Sequence, residues 1–146
     1  MVNPKALQKY SLFGGLDEDQ IKSILPYMKE DSYGPNEFMI TEGKANDSIF
    51  FLLEGSVEVT KKNIFLAKFG EGEAFGEMEV LDVMPAIATI KSLSSVKVLS
   101  ISNRGLQSIY KSDIKAFSLI IMNLARDLSR RLRRMDDKVT SPENFI

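Results

Sequence analysis

Cysteine and histidine are both absent from this 146-residue chain. Without thiols there is no disulfide framework and no thiolate zinc site. Without imidazoles, neither a Ser-His nor a Cys-His nucleophile pair can be assembled, nor a His-ligated zinc or iron centre. Carboxylate chemistry and weak Mg²⁺ or Ca²⁺ binding survive that exclusion, but no DxDxDG-like loop is present to support them. No apolar run approaches the ~20 residues that cross a bilayer. The opening MVNPKALQKYSLF has no continuous apolar block of the signal-peptide kind, so a cytoplasmic location without membrane contact is expected. Net charge is −1, which gives no global pull toward nucleic acid. These exclusions favour a binding or regulatory module over an enzyme, and they predict no metal and no catalytic residue. One absence is local: between Lys68 and Lys91 there is not a single Lys or Arg.

What is present has the balance of an ordinary globular domain, 44% hydrophobic and 27% charged. Without a linker, repeat or break in composition, residues 1–146 are expected to form one domain. Residues 1–30 read as a helical segment, in which Asp17 and Gln20 make a capping-box pattern and Pro26 ends or kinks the helix. Residues 32–102 carry short runs rich in Val, Ile, Phe and Thr: EFMIT, SIFFLLEG, SVEVT, IFLAKF, AIATIK and VKVLSIS. Glycines at Gly34, Gly43, Gly55, Gly70 and Gly72 punctuate them, which predicts an antiparallel barrel or jelly roll with tight turns at those glycines. TKKNIF is expected to turn back at Lys62 and Asn63.

Residues 103–135 return to helical spacing. A short helix opens near Asn103, with Gly105 as its weak point, and a longer one runs from about Asp113 to Met135. Phe117, Ile121, Leu124, Leu128, Leu132 and Met135 form one apolar stripe along it. Residues 136–146 are expected to be a loose tail.

In this order, LFGGLDEDQIKSI, YGPNEFMITEGKANDSIFFLLEGSVEV and KFGEGEAFGEMEVLDVMPAIATI resemble the cyclic nucleotide-binding domain family over roughly Leu12 to Met135. The resemblance implies a mainly β fold, an eight-stranded double-stranded β-helix or β-roll, flanked by helices and followed by a long C-terminal helix. It also implies a phosphate-binding cassette. In the family a Gly-Glu pair opens a short helical turn whose N–H groups hold the cyclic phosphate. The glutamate accepts a hydrogen bond from the ribose 2′-hydroxyl, and an arginine after a proline binds the phosphate. Gly76 and Glu77 match the pair, Pro85 the proline, and Ala88 and Thr89 the Ala-Thr that follows.

The arginine is missing. Ala86 holds its place, Ile87 follows where Ala or Ser is usual, and Glu79 stands where a small residue is common. The cassette positions carried over are Gly76, Glu77, Met78, Glu79, Ala86, Ile87 and Ala88. Glu79 is expected to face solvent and favour the start of the short helix. Glu77 either meets a ribose or holds loop N–H groups with no ligand at all. Val83, Met84 and Ile87 are expected to crowd the nucleotide's space. Loss of a bidentate arginine predicts binding weaker by ten- to several-hundred-fold, since a charge-assisted hydrogen bond contributes roughly 1.5–3 kcal/mol.

The expectation is therefore a non-catalytic regulatory or interaction module in which cAMP and cGMP binding is weak or lost. The alternative is a receptor that holds a cyclic nucleotide or another small ligand in a non-standard way, with Arg126 and Arg130 the candidates to replace the lost cation. An enzyme on a cupin-like roll is disfavoured by the absence of histidine. The stripe on the long helix can pack on the roll, pair with a second copy, or do both. In the family's bacterial transcription regulators the equivalent helix is the dimer seam, so the resemblance implies a parallel homodimer, alongside an unidentified protein partner. Only eleven residues follow Met135, so DNA recognition through a helix-turn-helix is not expected.

Overall fold

Residues 2–140 are described by the structure, a computed structural model. The helical lead-in is a series of short pieces: α1 (Pro4–Leu7), a 3₁₀ turn at Ser11–Phe13, α2 (Glu18–Ile24) and a second 3₁₀ turn at Leu25–Tyr27. The capping box on α2 is present in full. The Gln20 N–H donates to Asp17 Oδ1 at 2.7 Å, and the Asp17 N–H donates to Gln20 Oε1 at 3.0 Å. Pro26 lies in the tighter turn that ends α2, as its missing N–H requires.

Eight strands follow: β1 (Lys29–Tyr33), β2 (Phe38–Ile40), β3 (Ser48–Glu54), β4 (Val57–Lys61), β5 (Ile64–Phe69), β6 (Ala74–Phe75), β7 (Thr89–Ser92) and β8 (Val96–Ser102). The roll thus starts before the predicted residue 32. All pairings are antiparallel, in two four-stranded sheets ordered β1-β8-β3-β6 and β2-β7-β4-β5. The β4–β5 hairpin turns at Lys62 and Asn63, both at positive φ (51° and 64°), as expected of a two-residue turn. Gly70 opens a turn in which its carbonyl accepts from the Glu73 N–H at 3.1 Å, although neither it nor Gly34 is among the positive-φ glycines.

Strand alternation builds two cores. From β3 and β8, Phe50, Leu52, Val96 and Val98 point between the sheets, where they meet Val57, Phe75, Ala86 and Ile90. Ile49, Phe51, Leu99 and Ile101 point the other way, onto the helices. Both faces of the central strands are covered, which is why their sequences read as continuous apolar runs.

Two helices complete the described residues, α4 (Asn103–Ser112) and α5 (Ile114–Thr140). Ser102 caps α4 through the Gly105 N–H at 3.0 Å. Gly105 sits in the helix because a Cβ there would come within 2.7 Å of the Tyr27 carbonyl oxygen. α5 continues through residues 136–140, part of the predicted tail; residues 141–146 lie outside the described residues.

The buried face of α5 differs from the predicted stripe. It runs through Ala116, Ile120, Asn123 and Leu124, while Leu132 and Met135 are exposed. Asn123 Nδ2 donates to the carbonyls of Leu12 and Gly14, each at 2.9 Å, pinning α5 to the first 3₁₀ turn.

Candidate functional site

The segment without basic residues forms a short helix, α3 (Glu77–Asp82), set directly after β6. Gly76 precedes it at φ +83°, where a Cβ would lie 2.7 Å from the Ser48 carbonyl oxygen and 2.9 Å from Asn46 Nδ2. Only glycine combines that backbone with that proximity. Asn46 staples the turn, donating to the carbonyls of Ser48 (2.9 Å) and Gly76 (3.3 Å) and to Glu79 Oε1 (3.4 Å).

Both glutamates of α3 are buried, Glu77 at 4% and Glu79 at 8% exposure. The expected solvent-facing role of Glu79 is therefore corrected: its carboxylate turns inward toward Asn46. Glu77 Oε1 accepts from Arg131 Nη1 at 3.0 Å, and Glu77 Oε2 is buried with no partner among the described residues. Arg131 also donates through Nη2 to the Ala74 carbonyl and lies over the Phe69 ring, 4.3 Å from its centroid. Burial raises the Glu77 carboxyl pKa above the ordinary carboxylate value, and outweighs the lowering by the Arg131 charge.

Of the other predicted positions, Met78 and Ile87 are exposed and Ala88 is buried. Ala86 is buried and tied on both sides of its peptide: its N–H donates to the Lys44 carbonyl (2.9 Å) and its carbonyl accepts from the Gly43 N–H (2.8 Å). Val83, Met84 and Ile87 are all exposed, and Val83 is 79% exposed at positive φ.

Arg126 and Arg130 are engaged elsewhere on α5. Arg126 donates to Asn123 Oδ1 at 3.4 Å, and Arg130 pairs with Asp127, whose carboxylate also accepts from Ser11 Oγ. The guanidinium at Glu77 belongs to Arg131, a residue that sequence reasoning missed. A signal was available, since Arg131 follows Phe117 and Leu124 at seven-residue steps, placing an arginine where the apolar pattern calls for core. Arg131 further lines a cavity of about 420 Å³ with Ser11, Gly72, Glu73, Asp127, Arg130 and Arg134.

Residues 30–113, more than half of the chain, match the cyclic nucleotide-binding domain family. The chain belongs to that family. Its similarity to human cGMP-dependent protein kinase 2 is 27% identity over 135 residues, 92% of this chain but 18% of the kinase. Among solved structures, the Thermus thermophilus catabolite activator protein superposes with a TM-score of 0.76 at 25% identity, covering 88% of this chain and 61% of that one. A cyclic nucleotide-binding domain from Methylobacillus flagellatus KT superposes with a TM-score of 0.84 at 24% identity, covering 94% and 80%. The latter likeness carries the β-roll fold alone. Gly76 to Ala88 is the stretch that resembles the family's phosphate-binding cassette. Here that cassette has a buried glutamate held by an arginine from α5, and no basic side chain of its own.

Proposed function

We propose that this chain is a non-catalytic regulatory module whose cassette binds cAMP and cGMP weakly or not at all. The reading rests on one observation: the residue that would accept the ribose hydroxyl, Glu77, is already paired with Arg131. A nucleotide must displace that guanidinium, and it finds alanine where the family places its phosphate-binding arginine. The missing cation costs roughly tenfold to several-hundredfold in affinity, before the displacement is counted. The module then acts through protein contacts, as a homodimer through α5 and with a further protein partner. Leu132, Met135 and Val139, all exposed at helical spacing on α5, support the pairing.

A second reading keeps a ligand. Because Arg131 reaches the cassette, its guanidinium could serve the phosphate of a cyclic nucleotide bound in a non-standard way. Calorimetric titration of cAMP and cGMP into Ala86→Arg and Arg131→Ala separates the two. Under the first reading Ala86→Arg raises affinity at least tenfold, and Arg131→Ala raises it by freeing Glu77. A loss of binding in Arg131→Ala would establish the second reading in its place.

A further inference from the structure

Ten consecutive residues of the cassette, Met78 to Ile87, place five apolar side chains in solvent: Met78, Leu81, Val83, Met84 and Ile87. A patch of this kind on a soluble chain marks a contact surface. The backbone holds it outward. Val83 adopts φ +58°, ψ 34° as the C-cap of α3, a left-handed conformation that is costly for a β-branched residue. Asp82 Oδ1 accepts from the Met84 N–H at 3.0 Å and fixes the same turn. Nothing inside the roll rewards that conformation, since Val83 touches solvent over most of its surface.

The distal part of α5 has the complementary chemistry. Leu132, Met135 and Val139 are 61%, 62% and 66% exposed, and their spacing places them on one face of the helix. By helix rotation Asp136 and Lys138 border that face. Between Arg126 and Thr140 the helix carries Arg126, Arg130, Arg131, Arg133, Arg134 and Lys138 against Asp127, Asp136 and Asp137. The charged residues of the cassette segment are all acids, of which Asp82 is exposed while Glu77 and Glu79 are buried. Within one chain the two surfaces leave each other uncovered. Arg131 turns one face of α5 to its own cassette, and the adjacent apolar face is left free.

We infer that the distal face of α5 from one copy docks on the cassette face of a second copy. The contact joins two different patches, so a two-fold pair makes it twice, each chain giving its helix and receiving its partner's. The inference rests on the homodimer reading above and names the surface that reading uses. It also couples pairing to the cassette, because the docked helix covers α3 beside the Glu77–Arg131 pair.

The absence of cysteine makes the test direct. Single-cysteine chains Leu81→Cys and Met84→Cys, at exposed cassette positions, are each mixed with Leu132→Cys or Met135→Cys and oxidised. A disulfide needs Cα atoms within about 7 Å. The expected result is a cross-linked dimer in at least one mixture, while the same chains oxidised alone stay uncrosslinked. In parallel, Leu81→Glu should weaken dimerisation in sedimentation velocity at least tenfold, with an unchanged far-ultraviolet circular dichroism spectrum showing that the variant is folded. If the wild-type chain sediments as a monomer throughout, both this inference and the homodimer reading fall. If it is a dimer but only Leu132→Cys or Met135→Cys cross-links with itself, or nothing cross-links, the helix-to-cassette contact is wrong and the homodimer reading stands.

Discussion

Replacing Arg131 with alanine removes three interactions at once: the 3.0 Å pair with Glu77, the hydrogen bond to the Ala74 carbonyl and the stacking on Phe69. The side chains of Arg131 and Glu77 are 18% and 6% exposed, so screening by water is small. Taking one partner from a buried ion pair costs about 3–5 kcal/mol, because the other charge is left unpaired. Here the loss is severe, since Glu77 Oε2 already lacks a partner among the described residues and Oε1 would join it. Glu77 can escape by taking up a proton, a shift its burial already favours. The destabilisation should therefore be about 3 kcal/mol near neutral pH and shrink in acid. For a domain of this size that is a fall in melting temperature of roughly 6–12 °C. Thermal unfolding of wild type, Arg131→Ala, Glu77→Gln and the double variant, at about pH 7 and about pH 4.5, measures both the loss and the coupling. A loss below about 0.5 kcal/mol at neutral pH, with no coupling to Glu77, would refute the claim that this pair closes the cassette.

Other expectations are simpler. Glu77 binds its proton more readily folded than unfolded, so ionising it costs stability: the cost is absent below the unfolded carboxylate range and complete above the raised folded value. Wild type should therefore lose stability relative to Glu77→Gln as pH rises from about 4, checked by denaturant midpoints across pH. Gly76→Ala should cost more than about 2 kcal/mol, combining left-handed strain with a Cβ 2.7 Å from the Ser48 oxygen, read from urea unfolding. Asn123→Ala leaves the carbonyls of Leu12 and Gly14 without their donor and should cost about 2–3 kcal/mol by the same assay. Asp17→Ala, which only opens the α2 capping box, should cost about 1 kcal/mol.

Most of the fold was legible because the roll's inner strands leave strong marks. β3 and β8 are buried on both faces and show it as unbroken apolar runs, and the Lys62-Asn63 turn announces itself by an asparagine that tolerates positive φ. β1 escaped notice because it is an edge strand, KEDSY, whose side chains mostly face solvent and need no apolar residues. Two-residue β6 is too short to carry any period. On α5, periodicity found the helix and misjudged its lower half. Below Leu124 the buried row passes to polar residues, Asp127 and Arg131, which bond to Ser11 and Glu77. An apolar count cannot see such a face. The same blindness set Arg126 and Arg130 forward for the cassette, although helix rotation alone places Arg131 on the row of Phe117 and Leu124. The orientation of Glu79 depended on Asn46, thirty-three residues away in sequence, a contact that no local pattern encodes.

The most direct test of the central claim is a calorimetric titration of cAMP, and then cGMP, into the unmodified chain. With Glu77 held by Arg131 and no cation at Ala86, neither nucleotide should give a saturable isotherm in the micromolar range. One-site binding at micromolar concentration or tighter would contradict it.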